Sequence, residues 1–244
     1  SPSRGLGDVY KRQLIDSAHK LGIEKFIFLG SSCIYPKFAP QPLIEEYLLT
    51  DSLEPTNQWY AIAKITGLKA CQAIRKQYNK DYVSLMPTNL YGSFDNFDLQ
   101  SSHVLPAMLR KFHEAKINKH SDVTLWGSGT PMREFLFVDD MAEAVVYALE
   151  NNLPEYLYNI GTGKDISIKE LAETIQRVIG HQGNILWDES KPDGTPRKLM
   201  DVSKINEIGW KYSTELEDGI KKTYQWLLDN ICLLYTSPSP RDGL

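Results

Sequence analysis

Tyr60 and Lys64, four positions apart in Tyr60-Ala61-Ile62-Ala63-Lys64, are the pair with the most evident capacity for chemistry. On a helix, positions i and i+4 share a face, so both side chains can enter one pocket. An ammonium beside a phenol favours the phenolate, which predicts a Tyr60 pKa below the usual value of about 10. The apolar run Lys25-Phe26-Ile27-Phe28-Leu29 ends in Gly30-Ser31-Ser32-Cys33. A serine at a strand end can hold a substrate oxygen beside the phenol. Such a unit suits proton transfer to a carbonyl being reduced or from an alcohol being oxidised. The Tyr-Lys spacing alone is common on surface helices, so its neighbours in the chain carry the argument.

The elements that must position these groups alternate between helix and strand, which predicts an α/β fold. Apolar residues at 14, 15, 18 and 21 read as the end of a helix stopped by Gly22. The unbroken apolar run 26–29 predicts a strand buried on both faces of a parallel sheet. Residues 36–57 form a long polar loop with Pro36, Pro40, Pro42 and Pro55, of a length usually kept for function. Asn57 is the expected cap of a helix over 59–78, with Ala61, Ile65, Leu68 and Ile74 as its buried stripe. A strand over 82–86 delivers Pro87-Thr88-Asn89-Leu90-Tyr91-Gly92 to the strand ends, where parallel sheets bind ligands. Beyond it lie Ser102-His103, a helix over 104–115, strands at 123–126, 133–138 and 156–160, and a helix over 139–150. Ser167 and Glu170 make a capping box for a helix to 179, and an amphipathic helix covers 216–228. A doubly wound sheet normally opens on a glycine-rich phosphate turn. No G-x-G-x-x-G occurs here.

With 42% hydrophobic and 24% charged residues and a net charge of −4, the chain has the balance of an ordinary globular protein, and its acidity argues against a nucleic-acid surface. No apolar run approaches the roughly 18–20 residues of a membrane-spanning helix. The two ends are anomalous. Residues 3–13 read SRGLGDVYKRQ and residues 232–242 read CLLYTSPSPRD. DNA encoding the first, read as its reverse complement in another frame, encodes the second. Stretches 1–13 and 232–244 are therefore expected to derive from an inverted adapter sequence, leaving 14–231 as the genuine segment. Setting Cys232 aside leaves Cys33 and Cys71, too few for a disulfide framework.

The ordered motifs identify a family. Leu29-Gly30-Ser31-Ser32-Cys33-Ile34-Tyr35-Pro36, Y-A-I-A-K, P-T-N-L-Y-G and R-E-F-x-x-V-D-D resemble the extended short-chain dehydrogenase/reductases that act on nucleotide sugars. Within them, E-P-T-N, H-V-L-P-A, W-G-S-G-T-P-M-R-E-F and S-K-P-D-G-T-P-R-K resemble the GDP-L-fucose synthase family across 14–231. The resemblance implies an NAD-dependent epimerase/dehydratase-type domain: an incomplete Rossmann-type, doubly wound parallel sheet whose first half is missing, with a smaller α/β substrate-binding C-terminal lobe. It implies NADPH-dependent conversion of GDP-4-keto-6-deoxy-D-mannose to GDP-L-fucose, by epimerisation at C3 and C5 and reduction at C4. Ser31, Cys33, Tyr60, Lys64 and His103 fall at the catalytic positions, with Cys33 and His103 as the acid/base pair. Leu29, Gly30, Ser31, Ser32, Tyr60, Lys64, Pro87, Thr88, Asn89, Leu90 and His103 fall at NADP contacts. Lys111, Trp126, Arg133, Asp193 and Lys198 fall at contacts to the GDP-sugar; Lys111 stands where the family commonly has Arg. The resemblance further implies a cytoplasmic homodimer joined through the helix over 59–78, with no metal, nucleic acid or membrane. Another sugar-nucleotide epimerase or dehydratase is the competing enzyme reading. Without the glycine-rich turn, the chain as written is expected to bind NADPH poorly and turn over negligibly.

Overall fold

The computed structural model describes residues 3–230, with side chains from residue 12 onward. In chain order the elements are α1 (Ser3–Lys20), β1 (Lys25–Leu29), α2 (Gln58–Tyr78), β2 (Asp81–Pro87), β3 (Asn89–Tyr91), α3 (Val104–Ile117), β4 (Asp122–Trp126), β5 (Met132–Phe137), α4 (Val138–Glu150), β6 (Leu157–Ile160), β7 (Asp165–Ser167), α5 (Ile168–Ile179), β8 (Asn184–Asp188), β9 (Arg197–Lys198), α6 (Ser203–Glu207) and α7 (Leu216–Asp229). The chain divides into two compact units. One comprises the chain to residue 89 with 140–163 and 199–212; the other comprises 90–139, 164–198 and 213 onward.

The first unit is built on a parallel sheet in the order β1-β2-β6. Phe26 pairs with Tyr82 and Leu29 with Leu85, while Ser84 pairs with Leu157 and Pro87 with Ile160. The central strand β2 is buried from Tyr82 to Pro87, as a strand with neighbours on both sides should be. The expectation for β1 is corrected: only Phe28 is fully buried and Leu29 is exposed. Among the described residues β1 pairs on one side only, with β2.

α2 packs against β1 and β2, and α1 packs against α2. The close approach of α2 is set by Gly67, where an added Cβ would come within 2.5 Å of the Phe28 ring. Ala61, Ile65 and Leu68 are buried as expected; Ile74 is only half-buried, and Gly67 and Cys71 complete the stripe instead. Asn57 occupies the cap position of α2, but its side chain makes no capping bond. α1 begins at Ser3 and so takes in 3–13, the stretch set apart on sequence grounds, whereas 232–244 lie outside the described residues. Gly22 adopts a left-handed φ of 74° just past α1, as a helix stop requires. Of the apolar positions 14, 15 and 21 near its end, Ile15 is buried and Leu14 and Leu21 are exposed.

The second unit has its own sheet, ordered β3-β5-β7 with β9 also pairing to β5, and a separate parallel pair β4-β8. Its core gathers Leu105, Leu109 and Phe112 of α3, Leu171 and Ile175 of α5, Ile220 and Leu227 of α7, and Phe135 and Phe137 of β5. The capping box of α5 forms as predicted: Ser167 accepts from the Glu170 N–H, and the Glu170 carboxylate accepts from the Ser167 N–H. The three-residue strands β3 and β7, the two-residue β9, and β8 and α6 were not foreseen.

Candidate functional site

In the first unit the C-terminal ends of β1 and β2 carry the residues with chemical capacity. Past Leu29 the chain stays pinned to the sheet, for the Gly30 N–H donates to Leu85 O at 2.8 Å. Gly30 lies so close to β2 that an added Cβ would fall 2.3 Å from Met86 Sδ. The chain then coils into a single 3-10 turn over Ser32–Ile34, capped by Ser31, whose Oγ accepts from the Cys33 N–H at 3.2 Å. α2 packs on this turn. It brings the Tyr60 phenol near the Ser31 hydroxyl, which acts to lower the phenol's pKa. Lys64, one helical turn on, donates from Nζ to Leu29 O at 2.7 Å and lies 5.8 Å from the centroid of the Tyr60 ring.

The electrostatics differ from the expectation of a lowered Tyr60 pKa. Partial burial pushes the Tyr60 phenol above its ordinary value; the Ser31 hydrogen bond pulls it down, and proximity to Cys33 pushes it up. Desolvation of the charged form outweighs the hydrogen bond. Tyr60 is therefore a phenol held protonated, an acid rather than a preformed phenolate. Its residue remains 40% exposed, so a ligand can reach it.

Pro87 ends β2, Thr88 is buried with its N–H donating to Ile160 O at 3.0 Å, and Asn89 follows half-buried. Hydroxyl, phenol and ammonium donors at the carboxyl ends of parallel strands fit the ribose and carboxamide of a nicotinamide nucleotide. The close backbone at Gly30 keeps that edge free of a side chain.

The second unit holds the other sequence-predicted residues. His103 is the N-cap of α3, exposed, with no side-chain capping bond. Lys111 on α3 donates to Thr124 O at 3.0 Å and sits 5.6 Å over the Trp126 ring; burial pushes its ammonium below the ordinary lysine value. Trp126, last residue of β4, is 64% exposed. Lys191, not foreseen as a site residue although it lies in the S-K-P-D-G block, also stands 5.6 Å over that ring. In the parallel β5-β9 pair Arg133 stands in register with Lys198, which brings two cations to adjacent strands. Leu90 lies in β3.

Asp193 has a structural task that its sequence position did not reveal. Its two oxygens accept from the Ser128 N–H and the Ser128 hydroxyl, each at 2.7 Å, clasping the 127–131 loop. Those bonds, the backbone one first, hold its carboxyl below the ordinary range.

Residues 9–161 match the NAD dependent epimerase/dehydratase family. GDP-L-fucose synthase 1 of Arabidopsis thaliana is 56% identical over 219 residues, covering 90% of this chain and 68% of that protein. The chain belongs to the NAD dependent epimerase/dehydratase family. A second family member, GDP-L-fucose synthase of Escherichia coli K12, is 52% identical over 91% of this chain and 74% of its own length. The solved structure of a GDP-L-fucose synthetase from Naegleria fowleri bound to NADP superposes with a TM-score of 0.84 at 30% identity, covering 91% of this chain and 71% of that one. The expected Rossmann-type α/β class is that of the epimerase/dehydratase family. Among the described residues no helix is long and apolar enough to cross a membrane, and no cluster of His, Cys, Asp and Glu could hold a metal ion.

Proposed function

We propose that this chain carries the chemistry of GDP-L-fucose formation: 3,5-epimerisation of GDP-4-keto-6-deoxy-D-mannose followed by reduction at C4. The observation that carries the reading is the cluster of Ser31, Cys33, Tyr60 and Lys64 at the end of β1, in a chain 52–56% identical to the named synthases. The C4 ketone acidifies the protons on C3 and C5, and removal of either gives an enolate. Ser31 and Tyr60 are the hydroxyls that would receive the developing oxyanion, a role worth several kcal/mol in other enzymes. Cys33 and His103 would exchange protons with C3 and C5. In the reduction, the protonated Tyr60 gives its proton to the C4 alkoxide, a much stronger base than a phenolate. Lys64, tied to Leu29 O, holds α2 against the strand end and directs its charge beside Tyr60.

NADPH, when bound, supplies the hydride, and Leu29, Gly30, Ser31, Ser32, Tyr60, Lys64, Pro87, Thr88, Asn89, Leu90 and His103 are the residues that would hold it. Lys111, Trp126, Arg133, Asp193 and Lys198 would bind the GDP portion: Arg133 and Lys198 as cations for the diphosphate, Trp126 as the surface against the nucleotide. Lys111 keeps the charge of the family's usual arginine but not its fork. Exposed Trp59 and Ile62 on α2 support homodimer formation through that helix, and the assembly is assigned to the cytoplasm.

The decisive experiment is uptake of solvent deuterium at C3 and C5 of the keto sugar, which needs no NADPH. Cys33→Ser should slow it by about 10²–10⁴, the usual worth of a positioned acid/base group. Exchange unaffected by Cys33→Ser would overturn the epimerase assignment.

A further inference from the structure

The turn that carries Ser31 and Cys33 is tied down at both ends. At its start Gly30 bonds to β2. At its end Tyr35 is buried, and its hydroxyl donates to Asn159 Oδ1 at 2.6 Å, on β6. Ile34, between the reactive residues and Tyr35, is fully buried. Asn159 is itself fully buried and heavily bonded. Its Nδ2 donates to Leu43 O at 2.8 Å and to Asp201 O at 3.0 Å, which fixes the orientation of the amide. Its backbone N–H donates to Glu45 Oε1 at 2.8 Å. Glu45 is buried too, and its other oxygen lies 3.7 Å from Lys204 Nζ.

This hub joins the turn, the 43–45 stretch of the long loop, β6 and the 201–204 segment, all within the first unit. Asn159 Oδ1 accepts from Tyr35, and a buried amide oxygen deprived of its donor is destabilised far more than an exposed one. Burial also pushes the Tyr35 phenol well up, with the Glu45 charge adding to it, so Tyr35 remains a donor at every physiological pH. Nothing in the reaction uses Tyr35 or Asn159 directly.

We propose that Tyr35, through its hydrogen bond to Asn159, is a positioning residue that sets the pose and access of Cys33 for its acid/base step. The role rests on the functional reading above only for its meaning in catalysis; the geometry and its test stand without the sugar. Loss of the bond lets the end of the turn move, and the half-buried Cys33 thiol becomes more accessible.

The test is the pH profile of iodoacetamide alkylation at Cys33 in the whole chain, read at the Cys33 peptide by mass spectrometry. Cys71 gives an internal reference, since it is buried and its thiol is pushed up to about 12. Tyr35→Phe should raise the Cys33 rate about two- to tenfold, the range that corresponds to one hydrogen bond. Tyr147→Phe is the matched control: it removes a hydroxyl bond to Ile208 O in the same unit without touching the turn. A general loosening of the unit would move both variants and would unmask Cys71. Cys33 alkylation in Tyr35→Phe equal to wild type, or an equal rise in Tyr147→Phe, overturns the positioning role. A selective rise confined to Tyr35→Phe supports it.

Discussion

At the scale of single residues, the useful distinction is between which groups are present and which state they hold. Tyr60 and Lys64 share a helical face as their spacing requires, yet Lys64 spends a donor on Leu29 O while burial raises the phenol. The direction of a pKa depends on how much water each protonation state loses, and that is set by elements distant in sequence. A raised Tyr60 pKa keeps the acid form over a wider span of pH, so C4 reduction should persist into alkaline solution and fall only above the usual phenol range. Tyr60→Phe should abolish the proton donor and slow reduction by about 10²–10⁴. Ser31→Ala removes the hydrogen bond that lowers the Tyr60 pKa, so the phenolate should appear at still higher pH. The difference in tyrosinate absorbance between otherwise identical proteins with and without Tyr60 measures that shift; a downward movement would contradict the assigned cause.

Among the elements, two close contacts make measurable claims. Gly67 lets α2 approach β1, and a methyl there meets the Phe28 ring at 2.5 Å. Gly67→Ala, normally favourable inside a helix, should here destabilise by roughly 1–3 kcal/mol through overpacking, seen as a lower urea midpoint with an unchanged slope. His113 of α3 is buried, and its Nδ1 lies 3.1 Å from the Tyr224 hydroxyl on α7. Burial pushes the His113 pKa down, Glu114 pulls it up and Lys116 pushes it down further. The unfolded chain therefore binds the proton more readily, and the stability contributed by neutral His113 is present above about 6.5, the unfolded value, and lost as pH falls through the folded one. His113→Gln should flatten that acid-side slope in melting temperature against pH; an unchanged slope would assign it to other groups. Long periodic helices and the capping box at Ser167 were legible because their signals are local. Strands β7 and β9 were not, since two or three residues carry no period and exist by pairing with β5. β1 was read correctly as a strand, but not as one buried on both faces: of its five residues only Phe28 is buried.

For the molecule as a whole, the division into two units was only partly legible. The sequence marked a C-terminal lobe, but not that 140–163 and 199–212 return to the first unit while 90–139 belong to the second. Such returns depend on pairings such as Leu85 with Tyr158 and Leu43 with Met200, which no local pattern encodes. The second unit gathers groups proposed to bind GDP: the exposed indole of Trp126 with Lys111 over its ring, and Arg133 in register with Lys198; Lys191 stands over the same ring. Arg133 and Lys198 stand in register on adjacent strands, with the Asp193 carboxylate near Arg133, and a diphosphate would bind these cations through charge-assisted hydrogen bonds. GDP at about a hundred times its dissociation constant should then stabilise the folded chain by about 2.7 kcal/mol, a rise of roughly 5–10 °C in melting temperature for a chain of this size. Guanosine, without the diphosphate, should give much less, and added salt should shrink the GDP shift by screening the exposed cations. Arg133→Ala should remove most of the shift, and Trp126→Ala should reduce it for GDP and guanosine alike. Equal shifts for GDP and guanosine would show that the Arg133–Lys198 pair does not read phosphate, and the nucleotide proposal for the second unit would fall with it.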